Sequence, residues 1–214
     1  MTVQRQPRLY VISGVNGAGK SSIAGATFRA LGSEYCNPDE AARRLIEVNP
    51  GLTQKAANSL AWRQGVRLLK RTVEERLDFA FETTLGGNTI AHLLVQAAKQ
   101  RIELYIWYVG LSGPDLHLER VQARVRRGGH DIAEKDIRRR YEHSRLNLIS
   151  LLPHLTALRV YDNSEEADPA AGEAPSPRLV LRLERAKIFA PTDLSRTPDW
   201  AKPIVAAAIK LYQA

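Results

Sequence analysis

The chain of 214 residues has one cysteine, Cys36, and a lone thiol cannot close an internal disulfide. A reducing, cytoplasmic setting is therefore the expectation, with Cys36 read as a small buried thiol in a strand. No stretch approaches the roughly 20 consecutive apolar residues of a membrane span, so no membrane partner is expected. The first apolar run, Leu9-Tyr10-Val11-Ile12-Ser13, is too short for the core of a secretory signal. No internal repeat is visible. Acidic residues are in deficit, 23 against 31 Lys and Arg, which leaves a formal charge of +8. Such an excess calls for an anionic partner. The rest is ordinary for a globular chain: 44% hydrophobic and 25% charged residues, enough to build one α/β domain with a lid or appendage.

Residues Gly14-Val15-Asn16-Gly17-Ala18-Gly19-Lys20-Ser21 follow the pattern G-x-x-x-x-G-K-[ST]. The preceding run reads as a buried strand. The segment from Ser22 towards Leu31 reads as a helix with Ala24, Phe28 and Leu31 on one face. A strand, a glycine loop and a helix in that order form a phosphate cradle. The glycines bring backbone N–H groups close to phosphate oxygens, and the helix N-terminus adds the positive end of its dipole. Lys20 supplies a charge for the β/γ-phosphates and the Ser21 hydroxyl a ligand for Mg²⁺. The nucleotide-binding set is thus Gly14, Asn16, Gly17, Ala18, Gly19, Lys20, Ser21 and Ser22. Asn163, further along, is expected near the base. ATP and Mg²⁺ are the expected cofactors.

Apolar runs alternate with helical patterns, which predicts a parallel sheet covered on both faces. Strands are expected at Leu9–Ser13, Glu34–Asn37, Asp78–Glu82, Ile102–Val109 and Leu158–Tyr161. Helices are expected to start near Lys20, Asp39, Thr53, Asn88, Pro114 and Ala133. The stretch Thr53–Leu77 keeps apolar residues at Leu60, Leu68, Leu69 and Val73. This gives a P-loop NTPase of the adenylate-kinase type, with a five-stranded parallel sheet and an arginine-rich helical lid. The core would span residues 1–164, with the lid at about 112–150. Residues 165–177, acidic and rich in Ala and Pro, read as a linker or loop. Residues 178–214 would form a small C-terminal hairpin and helix, serving for packing.

Ligands collect at the C-terminal ends of parallel strands. Here those ends carry Asn37-Pro38-Asp39-Glu40, Glu82-Thr83-Thr84 and Tyr161-Asp162-Asn163-Ser164. Asp39 is the candidate general base, since transfer to a hydroxyl needs a carboxylate to orient that hydroxyl and take its proton. The same residue could instead be a helix N-cap. Glu82 could orient the acceptor or a Mg²⁺-bound water, or cap the next loop. Thr83 and Thr84 are candidate acceptor contacts.

The arginines concentrate between Arg120 and Arg145. Leu118, Val121 and Val125 share one helix face, while Arg120, Arg124 and Arg127 share another. Gly128-Gly129 ends this helix, and a second follows with an apolar stripe of Ile137, Tyr141, Leu148 and Leu152. Two helices around a Gly-Gly turn make a hinged flap able to bring guanidinium groups to a transferring phosphoryl group. Arg127 and Arg140 are the favoured pair, with Arg124 and Arg139 as alternates. His130 reads as a turn residue. A flap of this kind explains the positive charge better than a nucleic-acid surface does.

Taken together, GVNGAGKSS, NPDEAAR, FETTL, RVQARVRRGGHDI, DIRRRYEHSRLNL and YDNS resemble the zeta toxin-like P-loop kinases over roughly residues 8 to 164. The first motif is generic, whereas the ordered set is specific. The resemblance implies a kinase that uses ATP and Mg²⁺ to phosphorylate a hydroxyl of UDP-N-acetylglucosamine or a related nucleotide sugar. It also implies a catalytic set of Lys20, Asp39 and two of Arg124, Arg126, Arg127, Arg139 and Arg140. The chain is more similar to compact chromosomal relatives than to the longer plasmid-borne toxins. Their sugar-pocket residues find no match beyond the Glu82 region, so a small anionic metabolite is the broader expectation. An antitoxin partner is not legible in the sequence. Two alternatives remain: a polynucleotide or nucleoside kinase, prompted by a pI near 9.8, and a nucleotide-binding switch without catalysis. Replacing Lys20 by Ala is expected to abolish turnover and weaken triphosphate binding. Full activity of that variant would refute the phosphate-loop assignment.

Overall fold

A computed structural model of the chain describes residues 5–20, 35–165 and 176–213. The helix expected after Lys20, together with Ser21 and Ser22, lies outside the described residues, as do Glu34 and most of the expected linker.

The strands are β1 (Arg8–Ser13), β2 (Tyr35–Cys36), β3 (Phe79–Thr83), β4 (Glu103–Gly110), β5 (Ala157–Asp162), β6 (Arg178–Glu184) and β7 (Lys187–Ala190). They form one sheet in the order β2-β3-β1-β4-β5-β6-β7. The first five run parallel, and β6 and β7 are antiparallel. Leu9, Val11 and Ile12 of the central strand are fully buried, the near-continuous apolar pattern of a strand covered on both faces. The register pairs Ser13 of β1 with Thr83 of β3 and with Tyr108 of β4. The strands' C-terminal ends therefore meet where the chain leaves β1.

Among the described residues the sheet has seven strands, not five. The hairpin expected as an appendage continues it past β5. Val180, Leu181 and Leu183 of β6 are buried, and the outer edge of β5 offers them an apolar face and unpaired backbone groups. The hairpin thereby pairs the outer edge of β5 and leaves β7 as the terminal strand.

The helices are α1 (Pro38–Val48), α2 (Gln54–Glu75), α3 (Asn88–Lys99), α4 (Pro114–Arg126), α5 (Glu134–Leu151) and α6 (Lys202–Tyr212). Thr53 caps α2 by accepting from Ala56 N at 3.3 Å. Arg76, in the left-handed region at φ 54°, ends it. Leu60, one of the apolar residues noted along this helix, is 42% exposed. Ala57 and Ala61 face inward instead and pack with Ala42 of α1, because small residues allow the two helices to approach closely. Pro114 stands at the first turn of α4, where its missing N–H costs nothing. Gly128, at φ 89°, and Gly129 close that helix, with Gly129 N donating to Arg124 O at 3.0 Å. In α5, Ile137, Tyr141 and Leu148 are buried. Leu152 is also buried, in a following 3₁₀ turn (Leu152–His154). Cys36 is half-buried rather than enclosed, since β2 is a short edge strand. Among the described residues no helix is long and apolar enough to cross a membrane.

Candidate active site

The loop after β1 turns sharply away from the sheet. Gly14 adopts φ +137°, and a Cβ there would fall 2.1 Å from the carbonyl oxygen of Val109. Gly19 adopts φ +85°, where a Cβ would fall 2.5 Å from Nδ2 of Asn163. No other residue type fits either position. The loop is braced at several points. Asn163 Nδ2 donates to Ala18 O at 2.9 Å, and His117 Nδ1 lies 2.8 Å from Asn16 O. Arg140 donates to Asn16 Oδ1 at 2.7 Å. The ammonium of Lys20 is buried, 3.3 Å from Val15 O and 3.5 Å from Glu82 Oε1. A loop that needs glycine, with a lysine at its end, fits a triphosphate.

His117 is almost fully buried, and its pKa falls from 6.5 to about 4. Desolvation is the main cause, with the charges of Lys20 and Arg120 adding to it, while the contact with Asn16 opposes it. The ring is neutral at neutral pH, so Nδ1–H is the donor and the Asn16 carbonyl the acceptor.

Asn37, not Asp39, caps α1. Its Oδ1 accepts from Asp39 N at 2.9 Å and Glu40 N at 3.3 Å. Its Nδ2 donates to Glu82 Oε2 at 3.1 Å, beside the Tyr35 hydroxyl at 2.9 Å. Burial, then the Glu82 charge, pushes the Tyr35 pKa upward, so this hydroxyl remains a donor. With the cap supplied by Asn37, the Asp39 carboxylate is left half-exposed in the first turn of α1. There it stands 3.9 Å from Arg124 and 3.9 Å from His130 Nε2. Arg140 has its pKa lowered, chiefly by desolvation. It belongs to a stripe with Ser144 and Asn147, which donate to Thr84 O and Leu85 O, each at 2.8 Å. These bonds dock α5 on the turn after β3 and aim Arg140 at the loop.

Asn16, Lys20, Asp39, Glu82, Thr83, Thr84 and Arg140 line one cleft of about 720 Å³. The other sequence candidates stand elsewhere. Asn163 lies behind the loop as a brace. Arg124 is joined to the site through Asp39. Arg127 is exposed at the end of α4. Arg139 is exposed and pairs with Asp136 at 3.1 Å, because one helical step turns it away from the stripe of Arg140. The hydroxyls of Thr83 and Thr84 accept from Leu85 N at 3.1 Å and Gly86 N at 3.4 Å. Sequence reasoning missed one whole wall of the cleft, with Gln54, Asn58 and Trp62 of α2. Their i, i+4, i+8 spacing was the available signal. It also passed over His130, which lines the cleft beside Asp39. Among the described residues no group of three or more His, Cys, Asp or Glu could hold a metal ion. The expected Mg²⁺ ligand, Ser21, lies outside them.

A parallel sheet with a glycine loop at the end of its central strand, a lysine beneath and an arginine helix above defines a P-loop kinase. The chain belongs to the zeta toxin family, whose model matches residues 1–168. A Haemophilus influenzae protein, itself uncharacterized, is 30% identical over 136 residues, covering 64% of this chain and 94% of that one. Among solved structures, the AvrRxo1-ORF1:-ORF2 complex with ATP superposes with a TM-score of 0.67 at 14% identity. That match covers 95% of this chain and 64% of that chain, so this chain spans less than two thirds of that relative. The PezAT chromosomal toxin–antitoxin system of Streptococcus pneumoniae gives a TM-score of 0.55 at 14% identity, covering 81% of this chain and 76% of that one. At these identities the structural likeness concerns the fold.

The depressed pKa of His117 predicts an acid-labile fold. Between pH 6.5 and about 4 the unfolded chain binds a proton that the folded chain refuses, so stability is complete above pH 6.5 and falls as pH drops through that window, by up to roughly 3 kcal/mol. In thermal melts, His117→Asn is expected to start lower at pH 7 but to lose less between pH 6.5 and 4. A parallel loss in both proteins would contradict this origin.

Proposed function

We propose that this chain transfers the γ-phosphoryl group of ATP to a hydroxyl of a small anionic metabolite, with a nucleotide sugar of the UDP-N-acetylglucosamine type as the leading candidate. The observation that carries the reading is the convergence of Lys20, Asp39 and Arg140 on one cleft. The loop N–H groups and Lys20 hold the β- and γ-phosphates. Ser21 and Glu82 would hold Mg²⁺, which when bound neutralises charge on the phosphates. Asp39 holds the acceptor hydroxyl in line and takes its proton as the new O–P bond forms. The bond from phosphorus to the β-phosphate oxygen breaks, and ADP leaves with that electron pair. Arg140 faces the charge on the transferring group. An arginine in that role is worth about 10³–10⁵ in rate.

Lys20 and Glu82 form a buried pair, so the loss of either strands the other's charge in a poorly solvated place. Placed between the loop and Asn37, Glu82 holds Lys20 against the phosphates and also fixes the turn that presents Asp39. The polar wall of Gln54, Asn58 and Ser59, together with Lys55 and the ring of Trp62, suits an acceptor that carries hydroxyls, a flat or ring-shaped part and negative charge.

The test incubates the chain with ATP, Mg²⁺ and a metabolite extract and asks by mass spectrometry which species gains a phosphate. Asp39→Asn is expected to lower transfer by at least 100-fold while leaving ATP affinity within about twofold, since general-base catalysis contributes roughly 10²–10⁴. Undiminished transfer by this variant would remove Asp39 from the mechanism. The absence of any phosphorylated product with the unaltered chain would remove the kinase reading.

A further inference from the structure

The chain beyond residue 168, outside the family match, takes no part in the chemistry above. One of its residues nevertheless reaches the active site's foundations. Trp200, in the short 3₁₀ helix Asp199–Ala201 ahead of α6, is only 3% exposed. Its ring crosses so close to Gly110 that a Cβ there would lie 2.3 Å from it. Its Nε1–H donates to Asp162 Oδ1 at 3.2 Å, while Arg178 of β6 donates to Asp162 Oδ2 at 3.3 Å. Gly110 and Asp162 are the last paired residues of β4 and β5. Trp200 thus grips both strands where they end.

Asn163 comes next. Its N–H donates to Gly110 O at 3.0 Å and its side chain donates to Ala18 O of the phosphate loop at 2.9 Å. Its own carbonyl accepts from Arg120 of α4 at 2.8 Å. The Asp162 carboxylate also accepts from the N–H and the hydroxyl of Ser164, closing a turn around Asn163. A second line of contact leaves Trp200 through its carbonyl, which accepts from Arg145 at 3.4 Å. Arg145 lies over the ring of Tyr141 at 4.2 Å, on the helix that delivers Arg140.

We propose that Trp200 is a positioning residue for ATP: by holding Asp162 and Gly110 it fixes Asn163, and through Asn163 the Ala18 carbonyl and the shape of the phosphate loop. The C-terminal segment is then part of the nucleotide site although it touches no phosphate. This rests on the nucleotide-binding reading of the loop. Its physical content is pre-organisation. Where the binding-competent loop is a smaller fraction of the population, apparent affinity falls by that fraction. A hydrogen bond to a buried carboxylate is strong in low dielectric, and the Asp162 side chain is 10% exposed.

The test measures ATP affinity by titration calorimetry with Mg²⁺, alongside thermal melts, on the full chain and three variants. Trp200→Phe keeps a ring against Gly110 and removes the N–H, and Asp162→Asn keeps the shape and removes the charge. Tyr212→Phe removes a bond to Leu152 O, 2.6 Å long, that belongs to packing of α6 alone. Trp200→Phe and Asp162→Asn are each expected to weaken ATP binding about 5- to 20-fold, and their combination no more than the worse single change. Tyr212→Phe should lower the melting temperature yet leave affinity within twofold. Unchanged affinity in Trp200→Phe, or an equal loss in Tyr212→Phe, would overturn the proposal. Failure of the unaltered chain to bind ATP would instead overturn the nucleotide reading, and this inference with it.

Discussion

A backbone that turns its N–H groups towards a polyanion also turns like dipoles towards one another, and such a loop does not hold its shape unaided. It is held here by hydrogen bonds to two of its carbonyls and to the side chain of Asn16. Asn163 takes Ala18 O, His117 takes Asn16 O and Arg140 takes Asn16 Oδ1. A bond of this kind contributes about 1 kcal/mol net. The three arise from three different elements, so their joint effect is to prevent the loop from opening in any one direction. The rest of the architecture follows from the need to bring those elements to one place.

The parallel sheet meets that need. Strands that run the same way deliver their C-terminal ends to a common edge, and the register of Ser13 with Thr83 and Tyr108 sets those ends level. Asn37 then does two things at once. Its carbonyl oxygen caps α1 and its amide group holds Glu82, so the helix that presents Asp39 and the carboxylate that pairs with Lys20 are fixed by one side chain. Freed from capping, Asp39 lines the cleft with Arg124 and His130 each 3.9 Å from its carboxylate. Helix α5 is docked by Ser144 and Asn147 onto the turn after β3, and its arginine is therefore aimed by contacts made one and two turns away.

Segments outside the family match extend this frame. The hairpin β6–β7 extends the sheet beyond β5, and the chain that follows returns to the ends of β4 and β5, where Trp200 meets Gly110 and Asp162. Its apolar residues Ile204, Val205 and Ala208 join the main core. The family's core and the later segment therefore share one hydrophobic interior, which is the condition for a contact at Trp200 to be felt at the loop.

Much of this was legible along the chain. The glycine spacing, the lysine, the alternation of apolar strands with helices, Pro114 at a helix start and the Gly128-Gly129 stop are local signals. Each depends on the few residues around it, so the sequence by itself determined the phosphate cradle, the order of elements and the class of fold. Which arginine reaches the cleft, which residue caps α1, that α2 supplies a wall and that the hairpin joins the sheet were decided by the tertiary structure alone. The sequence favoured Arg140 over Arg139 but also favoured Arg127, and only the rotation of each helix against its neighbours brings Arg140 to the cleft while Arg127 and Arg139 stay exposed. Asn37 and Asp39 are both good caps until Glu82, distant in sequence, claims the amide of one. These choices rest on contacts between residues dozens of positions apart, and only packing brings such residues together.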